Sequence, residues 1–119
     1  MKVDIQNKIN NGESFLWAND GQYLGKLTFN RFDSESIMNK FGDYGSRFSS
    51  VSIFNKFSNY GSKFSSLSPF NQFTSTPPII YYKGQKIGLL TKNRFLGNVN
   101  VDPDELNEWM KSKNISHYG

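Results

Sequence analysis

A sixteen-residue unit is repeated almost unchanged in the middle of the chain. Residues 36–51 read SIMNKFGDYGSRFSSV, residues 52–67 read SIFNKFSNYGSKFSSL, and a third copy begins at Ser68 as SPFNQF before it breaks off. A unit this short cannot bury an apolar face by itself, so neighbouring copies must pack against one another in equivalent ways. The repeat therefore predicts a pseudo-symmetric fold, and it constrains architecture much more than it constrains biochemical function.

The signature of the repeat extends into both flanks. Residues 21–32, GQYLGKLTFNRF, match residues 84–95, GQKIGLLTKNRF, without a gap, so the flanks look like one duplicated element. Terminal units that differ in spacing from the internal ones are typical caps of a repeat array. Each flank and each central copy contains an Asn-x-Phe triplet. The triplets begin at Asn30, Asn39, Asn55, Asn71 and Asn93.

Composition bounds both the fold and the chemistry. At 119 residues the chain is long enough to form one domain with a modest core. Its apolar content of 36% is low, but 11 Phe, 6 Tyr and 2 Trp compensate, so we expect an aromatic-rich core. The absence of Cys excludes disulfides and thiolate chemistry. Neither a signal-peptide run nor a membrane span is found, so we expect a cytoplasmic protein without a membrane partner.

Turn and strand signals predict two β-hairpins joined by the repeats. In residues 14–32, two strand-rich runs flank the Asn-Asp-Gly segment at 19–21, which supplies the positive φ that hairpin turns require. A second hairpin is expected from residue 79 to residue 91, around the Lys-Gly turn at 83–84. Between residues 34 and 74, Gly and Ser punctuate each copy, and this pattern predicts turns between very short strands.

The two ends of the chain are predicted to differ. Residues 1–13 are polar and Asn-rich, which predicts a tail or a short edge strand. Near the other end, Asp102 is a helix N-cap acceptor and Pro103 suits the first helical turn, so a short helix is expected at about 103–112. A tail follows at 113–119, and residues 14–112 are expected to form a single β-repeat domain that includes the helix.

Several motifs together resemble the four-fold beta-flower domain, a small bacterial family. They are the units D-x-[SI]-x-N-x-F-G-x-Y-G-S-x-F-S-S, the following S-P-F-N-Q-F, the P-P-x-I step and the closing G-x-L-T-x-N-R-F. The resemblance covers residues 14–110 and implies four β-petals around a pseudo-axis. The expected fold is therefore mainly β, a pseudo-symmetric repeat of short β-hairpins with the one short C-terminal α-helix. It implies no activity. One petal is expected to be shortened, because residues 33–35 join two Asn triplets without a Tyr-Gly-Ser segment.

The chain offers few groups for catalysis. The one His, His117, lies near the C-terminus, where a tail would position it poorly for acid or base work. With no phosphate-binding loop and no set of metal ligands, the sequence predicts a non-enzymatic protein without a cofactor or a metal. The acidic side chains that are densest along the chain are explained by helix capping and the macrodipole. They are Asp102, Asp104, Glu105 and Glu108.

The repeated positions offer two kinds of binding group. The Asn side chains either bond to the backbone of their own turns or converge on one ligand near the axis. The cations alternate with Phe. In a strand the Phe would point inward, and the cation would point outward to solvent or to an anionic, planar ligand beside Tyr. The candidate ligand-binding residues are Asn39, Lys40, Tyr44, Arg47, Asn55, Lys56, Tyr60, Lys63, Asn71, Arg31 and Arg94.

A net charge of +4 and a repeated scaffold favour a binding role. The leading hypothesis is a non-enzymatic module that captures a small anionic ligand such as a nucleotide signal, for example as a decoy in phage infection or defence. One alternative is a nucleic-acid-binding protein that uses the basic rows and aromatic turns. Another is a platform for protein partners, with homo-oligomerisation open. Gly45 and Gly61 are expected to serve turn geometry alone.

Overall fold

A five-stranded mixed sheet is the main regular element of the computed structural model, which describes residues 3–115. Neighbouring strands are antiparallel, except that β4 and β5 are parallel. The fold is therefore mainly β with a short C-terminal helix, as predicted. The elements in chain order are α1 (Ile5–Asn10), β1 (Phe15–Trp17), β2 (Tyr23–Lys26), β3 (Ile79–Tyr82), β4 (Gln85–Leu90), β5 (Asn100–Val101), a 3-10 turn (Pro103–Glu105) and α2 (Leu106–Ser112). The spatial order of the strands is β2-β1-β3-β4-β5.

Both predicted hairpins are confirmed, and they pair with each other through β1 and β3. These two strands are antiparallel, with Leu16 opposite Ile80. In the first hairpin the register shifts immediately after Leu16, which lies opposite Gly25. In the second hairpin the register shifts immediately after Ile80, which lies opposite Gly88. The duplicated flanks thus carry the same bulge at the same place. An approximate two-fold axis between β1 and β3 relates the two hairpins.

The N-terminal segment forms a helix. The predicted tail or edge strand at 1–13 is therefore wrong for the residues of α1. Asp4 caps this helix, because its carboxylate accepts backbone N–H bonds from the first turn. Lys8 then ties the helix to the remainder of the protein through ion pairs with Glu13 at 3.0 Å and Glu35 at 3.1 Å. A cap and these ion pairs stabilise a polar helix that has no fully buried side chain.

The helix predicted near the C-terminus is confirmed by the 3-10 turn and α2. The carboxylate of Asp102 accepts the N–H of Asp104 at 2.9 Å, as an N-cap does. The carboxylates of Asp102 and Asp104 also form ion pairs with Lys92, at 2.9 and 2.5 Å. Helix capping and these ion pairs account for the first two residues of the acidic cluster. Residues 1–2 and 116–119, with His117, lie outside the described part of the chain.

The repeats are a run of tight turns. Between β2 and β3 the described chain contains no strand, so the very short strands predicted there are wrong. Asn55 shows the construction: its side-chain oxygen accepts the N–H of Phe57 at 3.0 Å, and its backbone carbonyl accepts the N–H of Ser58 at 3.1 Å. Ser, Thr, Asn and Asp form such turns because their side chains bond to backbone two residues ahead.

Equivalent hydrogen bonds recur in every copy. Asn39, Asn55 and Asn71 each donate through Nδ2 to the carbonyl oxygen six residues earlier, at 2.9 to 3.2 Å. The side-chain oxygen of each accepts the N–H of the Phe two residues later, and Asn30 and Asn93 make this second bond as well. The bonds support the interpretation that these Asn residues hold the shape of their own turns.

Four equivalent β-hairpin petals are not confirmed. The described strands belong to one open sheet that contains two hairpins. The central copies are equivalent in their turn hydrogen bonds and not in strand pairs. Their side-chain caps satisfy backbone groups that would otherwise need a partner in a neighbouring strand.

The core is mainly aliphatic, which corrects the expectation of an aromatic-rich core. Of the 13 buried apolar side chains, Phe15 and Tyr23 are the two aromatic ones. Ile37, Ile53 and Pro69 occupy the same position in successive copies, and all three are buried. Every buried side-chain nitrogen and oxygen among the described residues has a hydrogen-bond partner. Each copy thus contributes one fully buried apolar residue at this position, and Met38 and Phe54 pack against the core beside it.

Gly45 and Gly61 allow a close approach between turns. Turn geometry alone, which was the expectation, does not explain them, because neither has a positive φ. A Cβ atom on Gly45 would overlap the carbonyl oxygen of Asn39, and one on Gly61 would overlap that of Asn55. Because these glycines lack a Cβ atom, the chain packs closely against the turn that precedes it in the same copy.

We predict that Gly61→Ala destabilises the fold by about 1 to 3 kcal/mol or more, the usual cost of overpacking. The new methyl group would overlap one carbonyl oxygen and lie 2.6 Å from that of Ile53. Urea denaturation measures the free energy of unfolding, and Ser50→Ala, at an exposed turn position, is the control. Equal stability of the two variants would contradict the close approach.

Candidate ligand-binding surface

Seven of the 11 Phe side chains lie on the surface, with 83 to 100% of each exposed. Single exposed apolar residues are ordinary on a protein surface, whereas a contiguous apolar patch marks a site of interaction. The expectation that Phe points inward is wrong at these positions. They are Phe32, Phe41, Phe48, Phe57, Phe64, Phe73 and Phe95.

Each exposed Phe occupies the third position of a capped turn. The first position is Asn or Ser, whose side-chain oxygen accepts the Phe N–H at 2.9 to 3.2 Å. In all seven of these turns the second residue and the Phe are both exposed. The alternation that predicted an inward Phe belongs to strands and does not apply in a turn.

The preceding turn decides which way the Phe faces. In the second copy, Ser52 begins a turn whose central residues are the buried Ile53 and the half-buried Phe54. The next turn presents Lys56 and Phe57, and both are exposed. Burying an Ile side chain contributes about 1.5 to 3 kcal/mol to stability. The turn that contains Ile53 therefore faces the core, and the next turn faces solvent.

Six of the seven exposed Phe residues follow a Lys or Arg, and all six cations are exposed. None of the six forms a salt bridge with a residue of the described chain. The Nζ of Lys63 lies 5.3 Å from the centroid of the Phe64 ring. The surface therefore carries positive charge that no ion pair neutralises. The six cations are Arg31, Lys40, Arg47, Lys56, Lys63 and Arg94.

Two grooves run between these turns. The larger has a volume of about 840 Å³ and the smaller about 530 Å³. They share Arg47, Phe48 and Phe54, so they are contiguous. Four cation–Phe pairs line them, and we call this set the cation–phenylalanine surface. Its members are Lys40, Phe41, Arg47, Phe48, Lys56, Phe57, Lys63 and Phe64.

The structure brings four of the predicted cationic site residues together at the grooves and leaves two outside. Arg31 and Arg94 line neither groove, although each precedes an exposed Phe in the same kind of turn. These two positions therefore serve as internal controls for any function that depends on the grooves.

The two predicted Tyr residues are engaged in packing. Tyr44 is half-buried and meets the ring of Tyr23 edge to face, with 5.0 Å between centroids. Tyr60 donates its hydroxyl to a carboxylate oxygen of Asp20 at 2.7 Å. Burial and this hydrogen bond raise the pKa of Tyr60 to about 12. Neither ring lines a groove, so the exposed rings beside the cations are those of Phe.

The Phe residues of the surface are not among the candidates named from the sequence. A signal for them exists, because an Asn or Ser stands two positions before each exposed Phe. Such a spacing is typical of side-chain-capped turns. The spacing alone does not give the side that faces solvent, because Ser52 caps the buried Ile53 and the half-buried Phe54 in the same way. The interpretation of these segments as strands concealed the signal.

The most interconnected ionic cluster shares no residue with the grooves. Lys8 bonds to Glu13 and Glu35, and the buried Tyr23 donates its hydroxyl to Glu35 at 2.8 Å. Burial, followed by the bond to Glu35, raises the pKa of Tyr23 far above its usual range. Burial acts to raise the pKa of Glu35, but the bonds from Tyr23 and Lys8 outweigh it and lower the pKa. The cluster holds α1 against the sheet.

Comparisons with known proteins leave the chemistry to be inferred from the residues. A scan against family models, a search of curated proteins and a search of solved structures each found no match to the chain. Within residues 3–115, no group of three or more His, Cys, Asp or Glu side chains could hold a metal ion. No helix in that range has the length and apolar character needed to cross a membrane.

We predict unequal effects of truncation at two apolar positions of the second copy. Phe57→Ala should change the free energy of unfolding by less than about 0.5 kcal/mol, because the ring is 97% exposed. Ile53→Ala should cost about 2 to 5 kcal/mol, because this side chain is fully buried. Urea denaturation of both variants measures the difference. A large loss at Phe57 would show that the Phe faces the core.

We predict that acid weakens the fold through Asp33. The bond from the Glu35 N–H, opposed by burial and reinforced by Lys26, lowers the pKa of this carboxyl. A lowered folded-state pKa contributes stability that is present above the unfolded pKa of about 4 and is lost as the pH falls through the folded value. Urea denaturation from pH 7 to pH 3 measures this loss.

The matched variants for this test are Asp33→Asn and Asp43→Asn. The loss of stability below about pH 4 should be less steep in Asp33→Asn than in the unmodified protein. Asp43 is exposed and forms no salt bridge with a described residue, so Asp43→Asn should keep the original slope. Identical slopes in all three proteins would contradict the role of Asp33.

Proposed function

We propose that the protein is a non-enzymatic binding module that captures anionic ligands with a planar group, nucleotides above all, at the cation–phenylalanine surface. The observation that carries this proposal is the set of four exposed cation–Phe pairs along two contiguous grooves, whose cations form no salt bridge with any residue of 3–115. A decoy that sequesters a nucleotide signal is one biological role for which such a surface suffices.

Each cation–Phe pair supplies, on adjacent residues, one group that binds a phosphate and one that binds a base. The Lys or Arg forms a charge-assisted hydrogen bond to a phosphate. The neighbouring Phe offers its face to a base, and stacking of this kind contributes about 1 to 3 kcal/mol per base. In a nucleotide the phosphate and the base are joined through one sugar, so one ligand unit presents an anion and a planar ring to the two residues of one turn.

The turns are ordered before any ligand arrives. In each pair that lines a groove, the capping side chain at the first turn position holds the Phe N–H at 3.0 to 3.2 Å. The backbone under the Phe is therefore held in place without ligand, and a surface that is already ordered loses less conformational entropy on binding.

The lining of the grooves also favours binding over catalysis. The one carboxylate that lines them is that of Asp104, which is bonded to Lys92. The remaining lining side chains are cationic, apolar or neutral, and such groups hold an anion without supplying a general acid and base near neutral pH.

We predict that a nucleotide raises the melting temperature of the protein. A panel of mono-, di- and cyclic nucleotides is to be tested by thermal shift, since a ligand at a hundredfold excess over its Kd adds about 2.7 kcal/mol of stability. The double variant Lys56→Gln, Lys63→Gln should lose the shift, because both cations line the larger groove.

The control for this experiment is the double variant Arg31→Gln, Arg94→Gln, which removes the same charge outside the grooves. It should keep the full shift. No shift with any nucleotide, or an equal loss in both double variants, would contradict the proposed site.

A further inference from the structure

We infer that the partner of the cation–phenylalanine surface is single-stranded nucleic acid that runs along both grooves. This inference rests on the proposed function and extends it from a single nucleotide to a polymer. It follows from the contiguity of the grooves, the repetition of the pairs along them and the nature of the side chains.

The two grooves are adjacent, so a ligand longer than a mononucleotide can occupy both. Arg47 and Phe48 line both grooves, so one cation–Phe pair stands at their junction. Lys40 and Phe41 line the smaller groove alone, while the other two pairs line the larger one. A ligand confined to one groove would leave the remaining pairs unused.

The repetition of the pairs matches the repetition of a nucleic-acid strand. Successive Phe residues of the surface are separated in sequence by seven, nine and seven residues, because each sixteen-residue unit contributes two pairs. A single strand likewise repeats one phosphate and one base per nucleotide. Single-strand-binding surfaces combine a positively charged groove with aromatic side chains on which successive bases stack, and this surface has both components.

The side chains select a single strand over a duplex. Base faces in a duplex are covered by neighbouring base pairs, whereas unpaired bases can turn their faces to a ring. Phe has no polar atom with which to read the edge of a base, so little preference among bases is expected. Ile53, Phe54 and Phe70 also line the larger groove, and a flexible strand can follow such a groove between the turns.

The test is fluorescence anisotropy with labelled oligo-dT from 2 to 20 nucleotides. Affinity should rise with length and level off at roughly 4 to 16 nucleotides, the range of single-strand sites on small domains. Four cations line the grooves. If all four bind phosphates, a plot of log K against log salt should have a slope of about −3, since each neutralised phosphate contributes about −0.7.

Matched variants locate the strand. Phe48→Ala should weaken binding roughly five- to one-hundred-fold without changing the salt slope, because it removes stacking at the junction. Arg47→Gln should reduce the slope by about 0.7. Phe95→Ala and Arg94→Gln are the controls, since Phe95 is 95% exposed against 92% for Phe48 and lies outside both grooves. Thermal melts of all four variants verify the fold.

The outcomes separate this inference from the proposed function. If mononucleotides bind at the grooves and oligonucleotides bind no tighter, the polymer inference is wrong and the proposed function stands. Equal affinity for a duplex of the same length, or equal loss in Phe48→Ala and Phe95→Ala, also overturns the inference. Binding to vesicles of phosphatidylserine and phosphatidylcholine, without binding to nucleotides or oligonucleotides, would overturn both in favour of a lipid partner.

Discussion

Hydrogen bonds from backbone N–H groups to side-chain oxygens two residues earlier are the interaction on which the middle of this protein depends. They let the chain between β2 and β3 turn repeatedly without strand pairs, because each cap satisfies a donor that would otherwise need a partner in a sheet. Tight turning has a steric requirement. Gly45 and Gly61 meet it, since a Cβ atom at either position would overlap a carbonyl oxygen of an earlier turn.

The sheet supports these turns at a few close contacts. Gly25 in β2 has a φ of 116°, and a Cβ atom there would lie 2.7 Å from the Cβ of Tyr44 and 2.8 Å from Cγ2 of Ile37. The first hairpin is thus seated directly against the first repeat. Gly88, the equivalent residue of the second hairpin, approaches Val99 instead. The duplicated hairpins therefore share their register while they support different neighbours, and the approximate two-fold axis is confined to the sheet.

The cation–phenylalanine surface is a consequence of the same turns. An apolar turn that buries Ile53 is followed by a polar turn that exposes Lys56 and Phe57, so one unit serves both the core and the surface. The exposed Phe rings contribute little to burial, because 83 to 100% of each is exposed. Their regular placement beside cations that form no salt bridge within residues 3–115 is the observation on which the proposed partner, with negative charge and planar groups, rests.

Local sequence determined which segments have the same shape, where the hairpins turn and where the C-terminal helix begins. These features depend on near neighbours: the Lys-Gly turn at 83–84, the capping carboxylate of Asp102 and the side-chain caps of the repeats. Tertiary structure alone decided that Lys8 would hold a helix through Glu35, and which side of each turn would face solvent. A capped turn projects its central residues in one direction whatever they are, and that direction is set by the burial of Ile37 and Ile53 in a core formed by distant strands.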